Sequence, residues 1–136
     1  MECHGYVGRM LDQPAPDAFL AAITSRDFGR LAECLSPKAQ ARLFLPRGPE
    51  VRSGREDIAR RFEGWFAPAT VFEVLASQRE QVGPRNRLNW RFRLIRDGQT
   101  WEVIEQVAFV NVGQDGISEI DLLCSGFLHE DMPEKD

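Results

Sequence analysis

Residues 101–110 read WEVIEQVAFV. A strand turns successive side chains to opposite faces. Trp101, Val103, Glu105, Val107 and Phe109 therefore share one face, and Glu102, Ile104, Gln106, Ala108 and Val110 share the other. The first set is the more apolar and carries a glutamate at its centre. An unpaired carboxylate is costly to bury, so Glu105 is the first candidate functional residue.

The segment upstream fixes how this strand is expected to pair. Residues 87–96 alternate Leu88, Trp90, Phe92 and Leu94 with polar residues, and Asp97-Gly98 follows. Asp-Gly favours a two-residue hairpin turn. That turn places Leu94 opposite Trp101, Phe92 opposite Val103, Trp90 opposite Glu105 and Leu88 opposite Val107. Both apolar alternations then meet on one face. In this register Glu105 sits beside Trp90, and desolvation would raise its pKa. A carboxylic acid so placed can donate a hydrogen bond or move a proton near neutral pH. Two structural readings stand beside that one: Glu105 pairs with an arginine or Gln78, or the cavity there is wet. The opposite face pairs Arg93 with Glu102 and carries Arg87 and Arg91, a basic row suited to solvent or to a dimer interface.

Working outward, the second half of the chain is strand-like over 70–82, 87–96, 100–111 and 117–127, with turns at Gly83-Pro84, Asp97-Gly98 and Asp115-Gly116. The first half is helical. Residues 14–27 begin with prolines and Asp17, and Phe19, Leu20 and Ile23 share a face. A second helix is capped by Asp27, shows Phe28, Leu31 and Leu35 as its stripe, and ends at Ser36-Pro37. A short strand, 41–45, is followed by the loop PRGPEVR. Ser53 and Glu56 fit a capping box ahead of Ile58, Phe62, Trp65 and Phe66, which fall at helical spacing, and Pro68 stops that helix. Helices followed by an antiparallel meander make an α+β layer. The expected form is a cone-shaped barrel, with three helices packed on a curved, mostly antiparallel sheet. Residues 1–12 read as a flexible leader, 13–128 as a single domain and 129–136 as a polar tail.

Composition narrows the function. The chain has 136 residues, 43% of them hydrophobic, with nine Phe and three Trp, enough for one packed core. A net charge of −4 argues against a nucleic-acid or anionic-membrane binder. No apolar run is long enough to span a bilayer, and the N-terminal stretch lacks the apolar core of a signal peptide, so a cytoplasmic location is expected. Cys3, Cys34 and Cys124 form neither a disulfide framework nor a CxxC pair. Cys3-His4 could bind a metal or react, but lies in the leader. No phosphate loop, dinucleotide fingerprint or zinc motif is present, so neither a cofactor nor a metal is expected.

Element order, SRDFGRLAECLSP (25–37), RSGREDIARRFEGWF (52–66) and VNVGQDGISEIDLLCSGF (110–127) together resemble the nuclear transport factor 2-like superfamily, also called cystatin-like. The likeness spans about residues 14–127 and lies on the side of the SnoaL-like polyketide cyclases and ketosteroid isomerase. It implies homodimers joined through the sheet, as in many members. Its steroid-isomerase set transfers incompletely. The general-base position is Leu45, the oxyanion tyrosine position is Phe19, and the protonated-acid position falls on Glu105. The inward histidine of the related dehydratases has no counterpart, since the two histidines are His4 and His129. The acids of an epoxide hydrolase are missing at Arg91-Phe92-Arg93 and Leu122.

The resulting expectation is a pocket for a small apolar molecule, with carbonyl compounds among the candidates. Phe19, Leu45, Phe62, Trp65, Trp90, Phe92 and Trp101 would form its walls, and Glu105 would be its acid. Whether it is an enzyme stays open: a cofactor-independent isomerase, cyclase or lyase, or a non-catalytic binding or dimerisation module. For each wall aromatic, ordinary core packing is the alternative. The homodimer is expected to use the face holding Ile104, Val110 and Leu123.

Overall fold

A computed structural model of the chain describes residues 14–130. The leader, with Cys3-His4, and residues 131–136 lie outside the described residues. Helix α1 spans Pro14–Thr24, and α2 spans Phe28–Glu33, with the Asp27 carboxylate accepting from the Arg30 N–H at its cap. Helix α3, Arg55–Phe66, buries Ile58, Ala59, Phe62, Trp65 and Phe66, the stripe its periodicity predicts. Its cap is Gly54 at φ +93°, not Ser53. Ser53 ends a strand, and its hydroxyl is spent across the ladder on Gln40 Oε1 at 3.1 Å.

Among the described residues seven strands make one sheet: β1 Leu35–Leu45, β2 Gly48–Ser53, β3 Val71–Val82, β4 Arg85–Ile95, β5 Trp101–Gly113, β6 Gly116–Cys124 and the short β7 Leu128–His129. The order across it is β2-β1-β6-β5-β4-β3, with β7 beside β5. Only the β1–β6 pair is parallel. The sheet curves around the helices but stays open, with β2 and β3 at its edges among the described residues. This is the expected α+β architecture.

Three segments differ from expectation. The strand expected at 41–45 begins at Leu35, so Ser36-Pro37 belongs to it rather than ending α2. Pro37 is accommodated because the register shifts between Leu35 and Gln40. PRGPEVR is a hairpin, not a loop: β2 starts at Gly48, and Pro49 lies on the sheet edge, where its missing N–H costs no ladder bond. The boundary expected at 128 falls inside the sheet, since His129 pairs with Glu102 and the Glu130 N–H donates to Trp101 O at 3.0 Å.

The β4–β5 register also departs from the sequence reading, with the largest consequence. Ile95 faces Trp101, so residues 96–100 form a five-residue loop rather than a two-residue turn. The Asp97 carboxylate holds this loop, accepting from the Gln99 and Thr100 N–H groups at 2.9 and 2.8 Å. The parity of β5 is therefore reversed. Trp90 faces Gln106, Phe92 faces Ile104 and Arg91 faces Glu105. Leu88, Trp90, Phe92 and Leu94 are buried as expected, but their partners across the ladder are Ala108, Gln106, Ile104 and Glu102, with Val110 inward opposite Asn86. The more apolar face of β5 points outward. Trp101 lies under the Arg93 guanidinium, 3.7 Å from it, and Phe109 under Arg85.

Buried Gln106 finds partners on both sides. Its Oε1 accepts from Trp90 Nε1 at 2.8 Å, and its Nε2 donates to Cys124 Sγ at 3.2 Å. Around Trp90 pack Phe19 and Phe62, at centroid distances of 6.1 and 6.4 Å, and these two meet edge-on at 5.7 Å.

Two measurements check this register. Backbone hydrogen bonds from Thr100, then Gln99, hold the Asp97 carboxyl down at about 2. Its anchoring of the loop is thus complete above the ordinary carboxylate range and is lost only as the pH falls through about 2. Carbon-13 titration of Asp97 is expected to return that low value, and an ordinary one near 3.9 would mean a different loop. In denaturant unfolding, Trp90→Ala is expected to cost about 3–5 kcal/mol. Gln106→Leu should cost roughly 1–3 kcal/mol by orphaning the indole N–H, and much less in a Trp90→Phe background. A Gln106→Leu cost unchanged by Trp90→Phe would break the proposed pair.

Candidate functional site

Of the expected wall residues, Phe19, Phe62, Trp90 and Phe92 are fully buried. They fill the middle of the cone with their own rings. Trp101 is outside, beneath Arg93. Leu45 and Trp65 line an open space.

That space is a cleft of about 710 Å³ at one end of the cone. One wall is the turn after β1, with Leu45, Pro46, Arg47 and Gly48; another is the α3 face carrying Arg61 and Trp65. The third is the segment leaving β6, with Cys124, Gly126, Phe127 and Leu128. Gly126, at φ +82°, lets this segment pass Pro46, because a Cβ there would sit 2.8 Å from Pro46 Cγ. The cleft joins the core through Cys124, whose sulfur accepts from Gln106 Nε2 and from the Gly126 N–H at 3.3 Å.

Charge at the cleft is organised around Glu50. Arg61 grips its carboxylate with Nε and Nη2, at 2.8 and 3.1 Å, and Arg52 Nε adds a third contact at 2.7 Å. Arg52 also reaches Asp57 at 3.1 Å. The Arg61 guanidinium lies over the Trp65 ring at 4.7 Å. Burial pushes the Glu50 carboxyl up, but hydrogen bonds from Arg61 and Arg52 together outweigh it and hold the group below its usual range. Glu50 is therefore ionised and already engaged, a poor general base. On the far side, Arg96 stacks on Phe127 at 3.5 Å and grips Glu102 with two bonds of 2.7 and 3.0 Å.

Glu105 is not in this site. It lies on the outer face, with 39% of its side chain exposed. Asn89 Nδ2 donates to it at 3.2 Å and Arg91 Nε at 3.4 Å. The expectation of a desolvated acid beside Trp90 fails because the inward position belongs to Gln106, an amide that neither gives up nor takes a proton near neutral pH. Of the alternatives, pairing with an arginine is the one observed. The carboxylate that does face inward is Glu102, which the Arg96 guanidinium occupies. No group of three or more His, Cys, Asp or Glu side chains among the described residues is placed to hold a metal ion.

Pro46, Arg47, Glu50, Arg61, Cys124 and Phe127 are the cleft residues the sequence did not point to. Arg61 and Trp65 are one helical turn apart, which could have marked them as neighbours. Glu50 is brought to Arg61 only by the β1–β2 hairpin.

Comparison with known proteins agrees with this architecture. Solved structures with the same fold include a candidate polyketide cyclase from Xanthomonas campestris, at 14% identity and TM-score 0.62 over 81% of this chain and 87% of that one. Another is an LEH-like epoxide hydrolase of M. tuberculosis, at 18% identity and TM-score 0.61 over 83% and 81%. A third is a protein with a ketosteroid isomerase-like fold from Catenulispora acidiphila, at 15% and 0.61 over 79% and 82%. No curated protein matches the chain by sequence. The family model of the SnoaL-like domain matches residues 17–120. With that match spanning most of the chain, and the helices lying on an open curved sheet, the protein belongs to the SnoaL-like domain family.

Proposed function

We propose that the protein binds a small, largely apolar organic molecule in the cleft over Trp65, and that it does so without acid–base turnover by Glu105. The observation carrying this reading is the cleft's make-up. Leu45 and Phe127 offer partly exposed apolar surface beside the largely buried Trp65, while the carboxylate lining the cleft, Glu50, is held by two arginines. Concave apolar surface with a few fixed polar groups is the usual form of a small-molecule site. The names of the cyclase-, isomerase- and hydrolase-like structures sharing the fold support a small organic ligand, with carbonyl compounds among the candidates. Turnover as a cyclase or isomerase would need a proton-exchanging group, and neither Gln106 nor the paired Glu50 supplies one.

The neutral ketone 2-acetylnaphthalene is a suitable probe. It is expected to shift the NMR signals of Leu45, Trp65 and Phe127 saturably, and Trp65→Ala should weaken it by about tenfold, as expected for losing an aromatic contact surface. Binding unaffected by Trp65→Ala, or shifts confined to the outer face, would place the ligand elsewhere.

We also propose a homodimer formed through the outer face of the sheet, with its contacts revised. Ile104 and Val110 are fully buried inside and cannot take part. The outward apolar row is Val107, Leu123 and Phe44, adjacent across β5, β6 and β1. Leu123 is 63% exposed and Phe44 46%. Such a row, rimmed by Arg42, Arg85 and Asp121, suits a two-fold contact. Sedimentation at micromolar concentration should show a dimer that Leu123→Glu dissociates. A monomeric parent protein removes the proposal.

A further inference from the structure

Each arginine on the strands meets a carboxylate: Arg42, Arg52, Arg79, Arg85, Arg87, Arg91 and Arg93 all form ion pairs. Arg47 does not. It is exposed in the turn between β1 and β2, lines the cleft, and has no acidic partner among the described residues. Its neighbour across the cleft, Arg61, uses Nε and Nη2 on Glu50 and leaves Nη1 without an acceptor among the described residues. Arg47, Arg61 and Arg52 thus set three guanidiniums against the two carboxylates of Glu50 and Asp57. The excess positive charge is at the cleft, in a chain whose net charge is −4.

We infer that the ligand of this cleft is an amphipathic carboxylate, whose apolar body lies on Trp65, Leu45 and Phe127 and whose anionic head meets Arg47 and the spare edge of Arg61. The inference rests on the cleft being the ligand site. A guanidinium presents a planar fork of donors that fits a carboxylate in two parallel bonds. Glu50 has a second role here. It fixes Arg61 against Trp65 before any ligand arrives, so the apolar surface and the donor edge are already set at their working angle. Pairing that guanidinium also keeps the site from becoming a general anion trap. Only a ligand that covers the aromatic surface gains from both elements, so a carboxylate without an apolar body should bind weakly.

The test uses three probes on the purified full chain: 2-naphthoate, its neutral isostere 2-naphthamide, and acetate. Calorimetry is expected to show 2-naphthoate binding about tenfold tighter than 2-naphthamide, the scale of one charge-assisted hydrogen bond, with acetate undetectable. Arg47→Ala should abolish that preference and leave the amide unchanged. Arg47→Lys should keep part of it, and Arg60→Ala, which removes an exposed arginine of α3 outside the cleft, should keep all of it. Arg47 lies in an exposed turn, so circular dichroism of the variants is expected to match the parent. Amide binding equal to naphthoate binding, or a preference that survives Arg47→Ala, overturns the inference while leaving the cleft as a ligand site. Failure of all naphthalene probes to perturb Leu45, Trp65 or Phe127 overturns the site itself.

Discussion

The inward face of β5 follows from the loop that places Ile95 opposite Trp101. That loop is held by one carboxylate, Asp97, on two backbone N–H groups. A strand has a side-chain period of two, so adding or removing one residue in the pairing exchanges its faces entirely. Here the exchange decides whether a carboxylate or an amide enters the core. It also decides which apolar residues lie on the outer face.

With Gln106 inward, the polar centre of the cone is neutral. The amide satisfies the Trp90 indole and donates to Cys124, so a large aromatic can be buried without an orphaned N–H. Charges are kept to the periphery of the cone: Glu102 is nearly buried, but Arg96 covers it with two bonds and in turn packs on Phe127. The rings of Phe19, Phe62, Trp90 and Phe92 pack together in the middle of the cone. An open cleft lies at its end, beside Trp65.

Arginine is the recurring structural device. Arg26 donates to the carbonyls of Phe66 and Ala69 beyond the end of α3, where partial negative charge collects. Arg55 ties the start of α3 to Leu35 O. Arg79 joins α1 to β3 through Asp17 at 2.6 Å. On the outer face, Asp121 is shared by Arg42 and Arg85, and these hydrogen bonds hold its carboxyl below the usual range against the opposing effect of burial. Arg47, in the turn that lines the cleft, has no such carboxylate partner among the described residues.

The three helices, the antiparallel meander, the buried stripe of α3 and the inward alternation of β4 were legible in the chain itself. Each depends on residues close in sequence, where helical and strand periodicity alone sort apolar from polar positions. The face of β5 was not, because both of its faces are substantially apolar: Trp101 and Phe109 are sheltered outside by arginines from the neighbouring strand. Hydrophobic pattern then cannot choose a register, and the choice fell to two hydrogen bonds inside a loop. The cleft was likewise illegible. Arg47, Glu50, Arg61 and Phe127 come from separate segments, and only the β1–β2 hairpin and the chain leaving β6 bring them together. The sequence by itself determined the fold class. The tertiary structure decided that the Gln106 amide, not the Glu105 carboxylate, meets the Trp90 indole and that an arginine-lined cleft lies at the end of the cone, because register and long-range pairing are set by contacts between residues far apart in the chain.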